Sequence, residues 1–320
     1  MATLNRAFTI ALFTSCCSIS SSSCQTGKKT DASAQVIFEA TTPCDELSKS
    51  LLRIPESTKC EMMKWKLTLD KDSKTSTLTN YNLICTYGVG KQGTREFMEG
   101  AMTKELEGKL TVAKGIAGNR EAEVYQLQND SSQLVLFFLK VGENLLHLLD
   151  GNKHLMVGTG AWSYTLNRMT PAVHSTDKLF LTTTSQISGD SAIAGIFSAR
   201  TPCIDVLRHL NKISEPGCQI VKCQLRLYQD TMTHAPSTFL LYTIYVGKGD
   251  TRYSNTGTWR IGKGIKNDPD VRTLQLDFDN AQTSMLFVIA DENILFMLDE
   301  MQNLLVGGEY CGFTFNRKKE

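Results

Sequence analysis

The sequence lacks the clustered features that mark several common classes of protein. Its 34 basic and 33 acidic residues are scattered along the chain and give a net charge of +1, so there is no basic footprint of a nucleic-acid-binding protein. No apolar run approaches the roughly 20 residues that a membrane-spanning helix requires. A phosphate-binding loop and the Gly-x-Ser-x-Gly motif of serine hydrolases are also absent. We therefore expect no nucleic-acid partner and no enzyme of those classes.

The N-terminus has the composition of an export signal that ends at a cysteine. Residues 1–15 combine a basic start with a short apolar stretch, and small residues precede Cys16, as in a bacterial lipoprotein signal peptide. We predict lipidation of Cys16, with Cys17 and Cys24 as alternative acceptors, and a flexible tether over residues 16–34. This lipid would anchor the chain to a membrane, in an oxidising compartment where disulfides persist.

An internal repeat dominates the rest of the chain. Residues 143–150 return as residues 292–299, and the match extends in both directions at one constant offset. The repeat predicts two tandem copies of one domain, at residues 35–168 and 192–317, joined by a linker at residues 169–191.

Each copy alternates apolar and polar residues with the period of two that is typical of half-buried strands. The clearest examples are residues 63–69 and their counterparts 221–227. A short helical segment follows each Thr-Pro-Cys, at residues 45–52 and 205–210. Many short strands with one helical insert near the start predict an all-β fold of two tandem closed barrels, because closure leaves no exposed strand edge.

Four of the ten cysteines occupy matching positions in the two copies. Cys44 corresponds to Cys203, and Cys60 corresponds to Cys218. We predict one disulfide in each copy, Cys44–Cys60 and Cys203–Cys218, that holds the helical insert against the first long strand. The alternative is that these thiols are metal ligands.

Two further cysteines occur only in the second copy. Cys223 stands where the first copy has Trp65, and Cys311 stands where it has Trp162. The alternation places both positions inward, and the first and last long strands of a closed barrel are neighbours. We therefore predict a third disulfide, Cys223–Cys311. Cys85 has no matching partner and is expected to be a buried thiol.

Candidate catalytic and metal-binding groups are few. The five histidines share no metal-ligand spacing, and His147 aligns with Phe296, which favours a structural role. Asp150 recurs as Asp299, and an aspartate at a hairpin commonly stabilises the turn. No second carboxylate recurs close enough to form an acid–base pair, so we expect no catalytic residue and no enzymatic activity.

Several motifs together resemble the N-terminal domain of the NlpE family. They are Thr-Pro-Cys at residues 42–44 and 201–203, Gly-Thr-Trp at residues 257–259, and a leucine-rich segment ending in Asp150 that precedes a final aromatic strand. Members of this family are outer-membrane lipoproteins linked to copper homeostasis and envelope-stress sensing, and their domain is a lipocalin-like barrel. The resemblance covers both copies and implies a location in the bacterial cell envelope, in the outer membrane facing the periplasm.

One family feature is missing from both copies. The family's first cysteine is usually followed by a second in a Cys-x-x-Cys arrangement, which is the proposed metal or redox pair. Here Leu47 and Val206 occupy the second position, so only Cys44 and Cys203 match the motif. Copper binding is therefore not carried over from the family, and Cys44 and Cys203 remain candidates only under the metal-binding alternative.

Three functions follow as expectations. The leading one is a non-enzymatic, membrane-anchored envelope lipoprotein that serves as a binding or sensing scaffold for an envelope protein. The second is a carrier of a small lipophilic ligand in a barrel cavity. The third is a thiol-based copper-binding or redox protein. Large residues at predicted inward positions, namely Trp65, Trp162, Phe313 and Phe315, favour filled barrels over an open cavity.

Overall fold

The computed structural model describes most of the chain from residue 35 onward. The described residues are 35–72, 74–172, 179, 181, 187, 189, 192–203, 205–206, 217–247, 252–279 and 284–318. The predicted signal peptide, the tether, the lipidation candidates Cys16, Cys17 and Cys24, and most of the predicted linker lie outside them.

The two copies fold as two closed antiparallel barrels of eight strands each, as the sequence predicts. Consecutive strands pair, and the eighth strand of each barrel pairs with the first. The first barrel contains β1 (Gln35–Pro43), β2 (Met62–Lys71), β3 (Leu78–Gly88), β4 (Met102–Ile116), β5 (Asn119–Asn129), β6 (Val135–Val141), β7 (Leu145–Leu149) and β8 (Thr165–Arg168). The second contains β9 (Ile193–Pro202), β10 (Ile220–Gln229), β11 (Pro236–Tyr245), β12 (Arg252–Ile265), β13 (Asp268–Phe278), β14 (Ser284–Ile289), β15 (Ile294–Met297) and β16 (Thr314–Arg317).

Strand β2 shows how the alternation builds a barrel wall. Met63, Trp65 and Leu67 are each at most 1% exposed, whereas the lysines between them are not buried. Trp65 lies opposite Ala40 on β1 and opposite Cys85 on β3, so a large side chain stands between two small ones. Burial of each such apolar side chain contributes about 1.5–3 kcal/mol, which fixes the register of the strand.

The interiors of both barrels are filled with side chains. In the first barrel Trp65 packs edge-to-face against Phe138, with ring centroids 6.5 Å apart, and its indole N–H donates to the Thr42 hydroxyl at 2.8 Å. In the second barrel Phe287 and Phe315 pack edge-to-face with centroids 5.1 Å apart. These aromatic side chains fill the two barrels, as the sequence predicts.

A helix, α1 (Glu46–Leu51), follows the first strand. Its N-terminus is closed by a capping box, because the Asp45 carboxylate accepts from the amide of Ser48 at 3.0 Å and the amide of Asp45 donates back to the Ser48 hydroxyl. The second predicted helix lies mostly outside the described residues. Among the described residues, no helix combines the length and apolarity needed to cross a bilayer.

The ends of two predicted strands are shifted. The sequence predicts final strands over residues 162–166 and 311–315, but β8 begins at Thr165 and β16 begins at Thr314. Trp162 therefore lies in the loop before β8, where it is partly exposed, and the prediction that it faces the barrel core is wrong. Phe313 and Phe315 are buried as predicted.

Candidate functional site at the contact between the barrels

The two barrels contact each other through a shared apolar cluster, and this contact is called the seam. Outward-facing residues of β5, β6 and β7 contribute to it, together with those of the matching strands β13, β14 and β15. Equivalent positions of the repeat meet there: Leu139 corresponds to Val288, and Leu145 corresponds to Ile294. A surface that packs against its own equivalent is isologous, as in a two-fold symmetric dimer.

Buried polar groups lie on the pseudo-two-fold axis of the seam. The hydroxyls of Thr165 and Thr314, which are equivalent in the repeat, are 2.9 Å apart. The Nδ1 atom of His147 lies 2.9 Å from the Thr165 hydroxyl, and its Nε2 lies 2.9 Å from the carbonyl oxygen of Met156. The repeat counterpart of His147 is Phe296, and the two rings pack edge-to-face with centroids 5.9 Å apart.

These contacts determine where the protons lie. The Met156 carbonyl can only accept, so Nε2 of His147 donates to it and Nδ1 accepts from the Thr165 hydroxyl. The Thr314 hydroxyl then donates to Thr165. Burial lowers the pKa of His147 to about 4, although its hydrogen bond to Met156 acts in the opposite direction. His147 is therefore a neutral structural residue at neutral pH, as the repeat alignment indicates.

Two asparagines connect the barrels reciprocally. The Asn316 side-chain oxygen accepts from the amide of Gly158, and the Asn167 side-chain oxygen accepts from the amide of Gly307, both at 2.8 Å. Asn167 also donates to the carbonyl of Gly308 at 3.1 Å. The loop before the last strand of each barrel is thus held by the last strand of the other.

On one flank of the seam, the second barrel neutralises a lysine of the first. Lys64 lies 3.1 Å from the Glu309 carboxylate, hydrogen-bonds to the Tyr310 hydroxyl, and stands 4.5 Å from the centre of the Tyr310 ring. Burial opposes protonation, but the hydrogen bonds to Tyr310 and Glu309 outweigh it and raise the pKa of Lys64. This lysine is therefore a paired cation within the interface.

Beside this site, two cations of the second barrel have no carboxylate partner among the described residues. Arg200 and Lys222 are direct cross-strand neighbours on β9 and β10. The Arg200 guanidinium stands 5.7 Å from the centre of the Trp162 ring. Arg95 joins these two residues in lining a cleft of about 640 Å³. The chemical consequence of this arrangement is a local positive charge at the seam.

The structure confirms two of the predicted disulfides. Cys44 is bonded to Cys60 and Cys203 to Cys218, with Cα atoms 5.6 and 5.8 Å apart. In this oxidised state neither Cys44 nor Cys203 offers a thiolate to a metal. Among the described residues, no group of three or more histidine, cysteine, aspartate or glutamate side chains is arranged to hold a metal ion.

The predicted Cys223–Cys311 disulfide is wrong, because both thiols are free. Cys223 lies on β10 and Cys311 lies just before β16, and β9 runs between these two strands. Neighbouring strands are about 4.8 Å apart, so two steps span about 10 Å, which exceeds the Cα separation that a disulfide allows. The prediction failed because it took β10 for the first strand of the barrel.

The three free thiols among the described residues differ in accessibility. Cys85 and Cys223 are buried, and burial raises the pKa of each thiol to about 12. Cys311 is partly exposed; burial raises the pKa of its thiol, while Arg95 and Arg200 oppose the shift. Neither Cys85 nor Cys223 can therefore serve as a reactive thiolate near neutral pH.

The end of strand β3 and the loop after it contain three closely spaced glycines. Residues 88–93 spell Gly-x-Gly-x-x-Gly, the pattern of dinucleotide-binding loops. Gly88 is the last residue of strand β3, and the residues after it lead through a bridge between Gly90 and Phe97 to strand β4. A dinucleotide site instead needs a helix N-terminus after the glycines. The pattern therefore does not form a dinucleotide-binding loop.

Sequence reasoning missed the seam, although a sequence feature indicates it. Strand β7 consists of four leucines and His147, and all five of its side chains are buried. A strand without alternation is covered on both faces. One face of β7 meets the barrel interior and the other meets the second barrel. Arg200 and Lys222 gave no comparable signal, because their proximity depends on strand register.

Comparison with known proteins gives one finding. Residues 216–308 match the family model of the NlpE N-terminal domain, which is associated with the bacterial cell envelope. The match lies within the second barrel and confirms the resemblance there, and the first barrel has the same strand order. Searches of curated proteins and of solved structures return no match.

Proposed function

We propose that this chain is a non-enzymatic lipoprotein of the bacterial envelope. A lipid on Cys16 attaches the chain to the outer membrane, on the side that faces the periplasm. The two barrels form a rigid scaffold that binds or senses an envelope partner. The match of residues 216–308 to the NlpE N-terminal domain is the observation that supports this function most directly. The first barrel has the same strand order, which extends this support to residues 35–168.

The filled interiors favour a scaffold over a lipophilic carrier. A ligand-binding barrel needs an unfilled mouth or cavity of several hundred Å³. Here Trp65 and Phe138 fill the first barrel, and Phe287 and Phe315 fill the second. A small lipophilic molecule could enter only if these aromatic side chains moved.

The state of the cysteines favours a scaffold over a thiol-based copper or redox protein. Cys44 and Cys203, which match the family motif, are held in disulfides that link the end of the first strand of each barrel to the start of the second. Disulfides at equivalent positions of both copies stabilise the frame, each by about 3 kcal/mol for loops of this length.

Membrane attachment can be tested directly. The full chain is expressed in a Gram-negative bacterium with a labelled fatty acid, and the membranes are separated. We expect the label on the chain and the chain in the outer-membrane fraction. Cys16→Ser should abolish labelling, whereas Cys17→Ser and Cys24→Ser, the matched controls, should retain it. Labelling that persists in Cys16→Ser, or recovery of unlabelled wild-type chain in the soluble fraction, would contradict the proposed anchor.

Native mass spectrometry of the purified full chain separates the scaffold from its two alternatives. For a scaffold, we expect the mass of the chain with its two disulfides and no retained copper after copper exposure. A tightly retained copper ion that is lost in Cys311→Ser would support the thiol-based alternative. A co-purified lipid beyond the N-terminal anchor would support the carrier.

A further inference from the structure

The pseudo-symmetry of the seam places two equivalent lysines in unlike surroundings. Lys64 on β2 and Lys222 on β10 occupy the same position of the repeat. Lys64 lies opposite Thr41, whereas Lys222 lies opposite Arg200. Like charges directly opposite each other on antiparallel strands destabilise the pair. The second barrel therefore carries an electrostatic cost that the first barrel avoids.

The acid that neutralises the first site has no counterpart in the second. Glu309 pairs with Lys64 across the seam, and the residue equivalent to Glu309 in the first copy is Gly160. Among the described residues, no carboxylate lies within ion-pair distance of Arg200 or Lys222. The Nε–H group of Arg200 is buried and donates to no hydrogen-bond acceptor among the described residues. An anion from outside the chain would complete this site.

A third cation reaches the same cleft from the first barrel. Arg95 lines it together with Arg200 and Lys222, and the described lining contains no carboxylate. Both guanidiniums lie against aromatic rings: Arg200 is 5.7 Å from the centre of Trp162, and Arg95 is 4.9 Å from the centre of Tyr310. These contacts restrict the arginine side chains, which reduces the entropy lost when they bind a ligand.

We propose that this cleft is a binding site for a phosphate group. A phosphate monoester carries about −1.5 to −2 charge at pH 7, which matches three converging cations better than a carboxylate does. The planar guanidinium forms paired hydrogen bonds to phosphate oxygens, and the lysine adds a point charge. The cleft, at about 640 Å³, is larger than a phosphate ion, so the group can belong to a phospholipid headgroup or be free phosphate.

The site can be tested by calorimetric titration of the full chain in detergent. The probes are inorganic phosphate and glycerol 3-phosphate, which is the soluble headgroup of phosphatidic acid. Arg200→Thr introduces the residue of the first copy, and Gly160→Glu introduces the missing acid. We expect each variant to weaken binding about tenfold or more. Arg226→Thr removes a cation from the same strand face as Lys222 but outside the cleft, and should bind as the wild type does.

Circular dichroism shows whether each variant folds, and Lys222→Gln replaces Gly160→Glu if the larger side chain prevents folding. The proposal is overturned if the wild type binds neither probe, or if Arg200→Thr binds as tightly as Arg226→Thr. Tighter binding of inorganic phosphate identifies free phosphate as the ligand, and tighter binding of glycerol 3-phosphate identifies a headgroup. Binding at this cleft requires neither the lipid anchor nor the envelope location, so Cys16→Ser should bind the probes unchanged whatever the outcome of the labelling experiment.

Discussion

Thr165 and Thr314 hold the same position in the two copies, and their hydroxyls form a hydrogen bond of 2.9 Å at the centre of the seam. A contact between equivalent residues is the property of a two-fold symmetric dimer. The duplicated chain thus contains, within one molecule, an interface of the kind that two identical subunits form. The barrels are consequently held as one body by a shared core instead of hanging separately from a linker.

The hydrogen-bond chain at the axis predicts unequal effects of two equivalent substitutions. Thr165→Val removes the donor to His147 and the acceptor of Thr314, so two buried polar groups lose partners. Thr314→Val removes one donor and leaves the bond between Thr165 and His147 intact. Each unsatisfied buried group costs about 1–3 kcal/mol, so Thr165→Val should lower the free energy of unfolding more than Thr314→Val. Urea denaturation measures both, and equal losses would contradict the central position of Thr165 in this hydrogen-bond chain.

The buried imidazole predicts a pH dependence of stability. The pKa of His147 is about 4 in the folded chain against 6.5 for an unperturbed histidine, so the unfolded chain binds more protons between these values. The stabilising contribution of neutral His147 is complete above pH 6.5 and is lost as the pH falls towards 4. His147→Phe introduces the residue of the second copy and removes this loss. We therefore expect the wild type to lose about 3 kcal/mol more of its unfolding free energy than His147→Phe does when the pH is lowered from neutral to about 4.

The pH dependence of the wild type alone does not isolate His147, because Asp291 changes the free energy of unfolding with pH in the opposite direction. Burial raises the pKa of Asp291 to about 6, so its contribution is present at low pH and is lost as the pH rises from 3.8 towards 6. Both proteins contain Asp291, so the difference between them isolates His147. His154→Asn, which also introduces the residue of the second copy, controls for removal of a histidine from an exposed turn. A constant difference between wild type and His147→Phe across this pH range would disprove the proposed burial.

The thiols provide a third prediction. Alkylation of the native chain at mildly alkaline pH should modify Cys311 and leave Cys85 and Cys223 unmodified, because burial raises the pKa of these two thiols to about 12. After denaturation without reduction all three should react, and Cys44 and Cys60 should remain protected by their disulfide. Peptide mass mapping measures each site. Rapid native modification of Cys223 would show that its strand is not closed into the barrel.

Features encoded locally or by the repeat itself were predictable from the sequence. The alternation from Met63 to Leu69 fixed the inward face of β2, and the matched cysteines fixed the disulfides Cys44–Cys60 and Cys203–Cys218. The alternation has meaning only inside a strand, however. Trp162 and Cys311 lie in loops before the last strands, so the extension of the alternation to them gave the wrong side-chain directions.

The candidate site was not predictable, because it depends on contacts between residues distant in sequence. The continuous burial of β7 indicates that something covers its outer face, but not that the cover is the other copy. The pair of Arg200 and Lys222 requires the register of β9 against β10, and the absence of an acid requires knowledge of what Glu309 contacts. Only the assembled seam shows that Gly160 stands where the repeat has Glu309, and that no carboxylate among the described residues pairs with the two cations.

Two glycines of the crossing loops provide the last prediction. A Cβ atom at Gly158 would lie 2.3 Å from the carbonyl oxygen of Trp162, and one at Gly307 would lie 2.2 Å from that of Cys311. These obstacles are backbone atoms, so Gly158→Ala and Gly307→Ala must displace the loops, and each should lower the free energy of unfolding by about 1–3 kcal/mol.

The hydrogen bonds that these glycine amides donate to Asn316 and Asn167 would be displaced with the loops, so the damage should extend to the seam. Gly151→Ala is the matched control, since a Cβ atom there meets no atom within 4 Å. Thermal denaturation should therefore leave Gly151→Ala close to the wild type and lower the melting temperature of the other two. Because the two loops are equivalent, similar losses for Gly158→Ala and Gly307→Ala would support the symmetric seam, whereas a loss confined to one of them would argue that only one loop holds the barrels together.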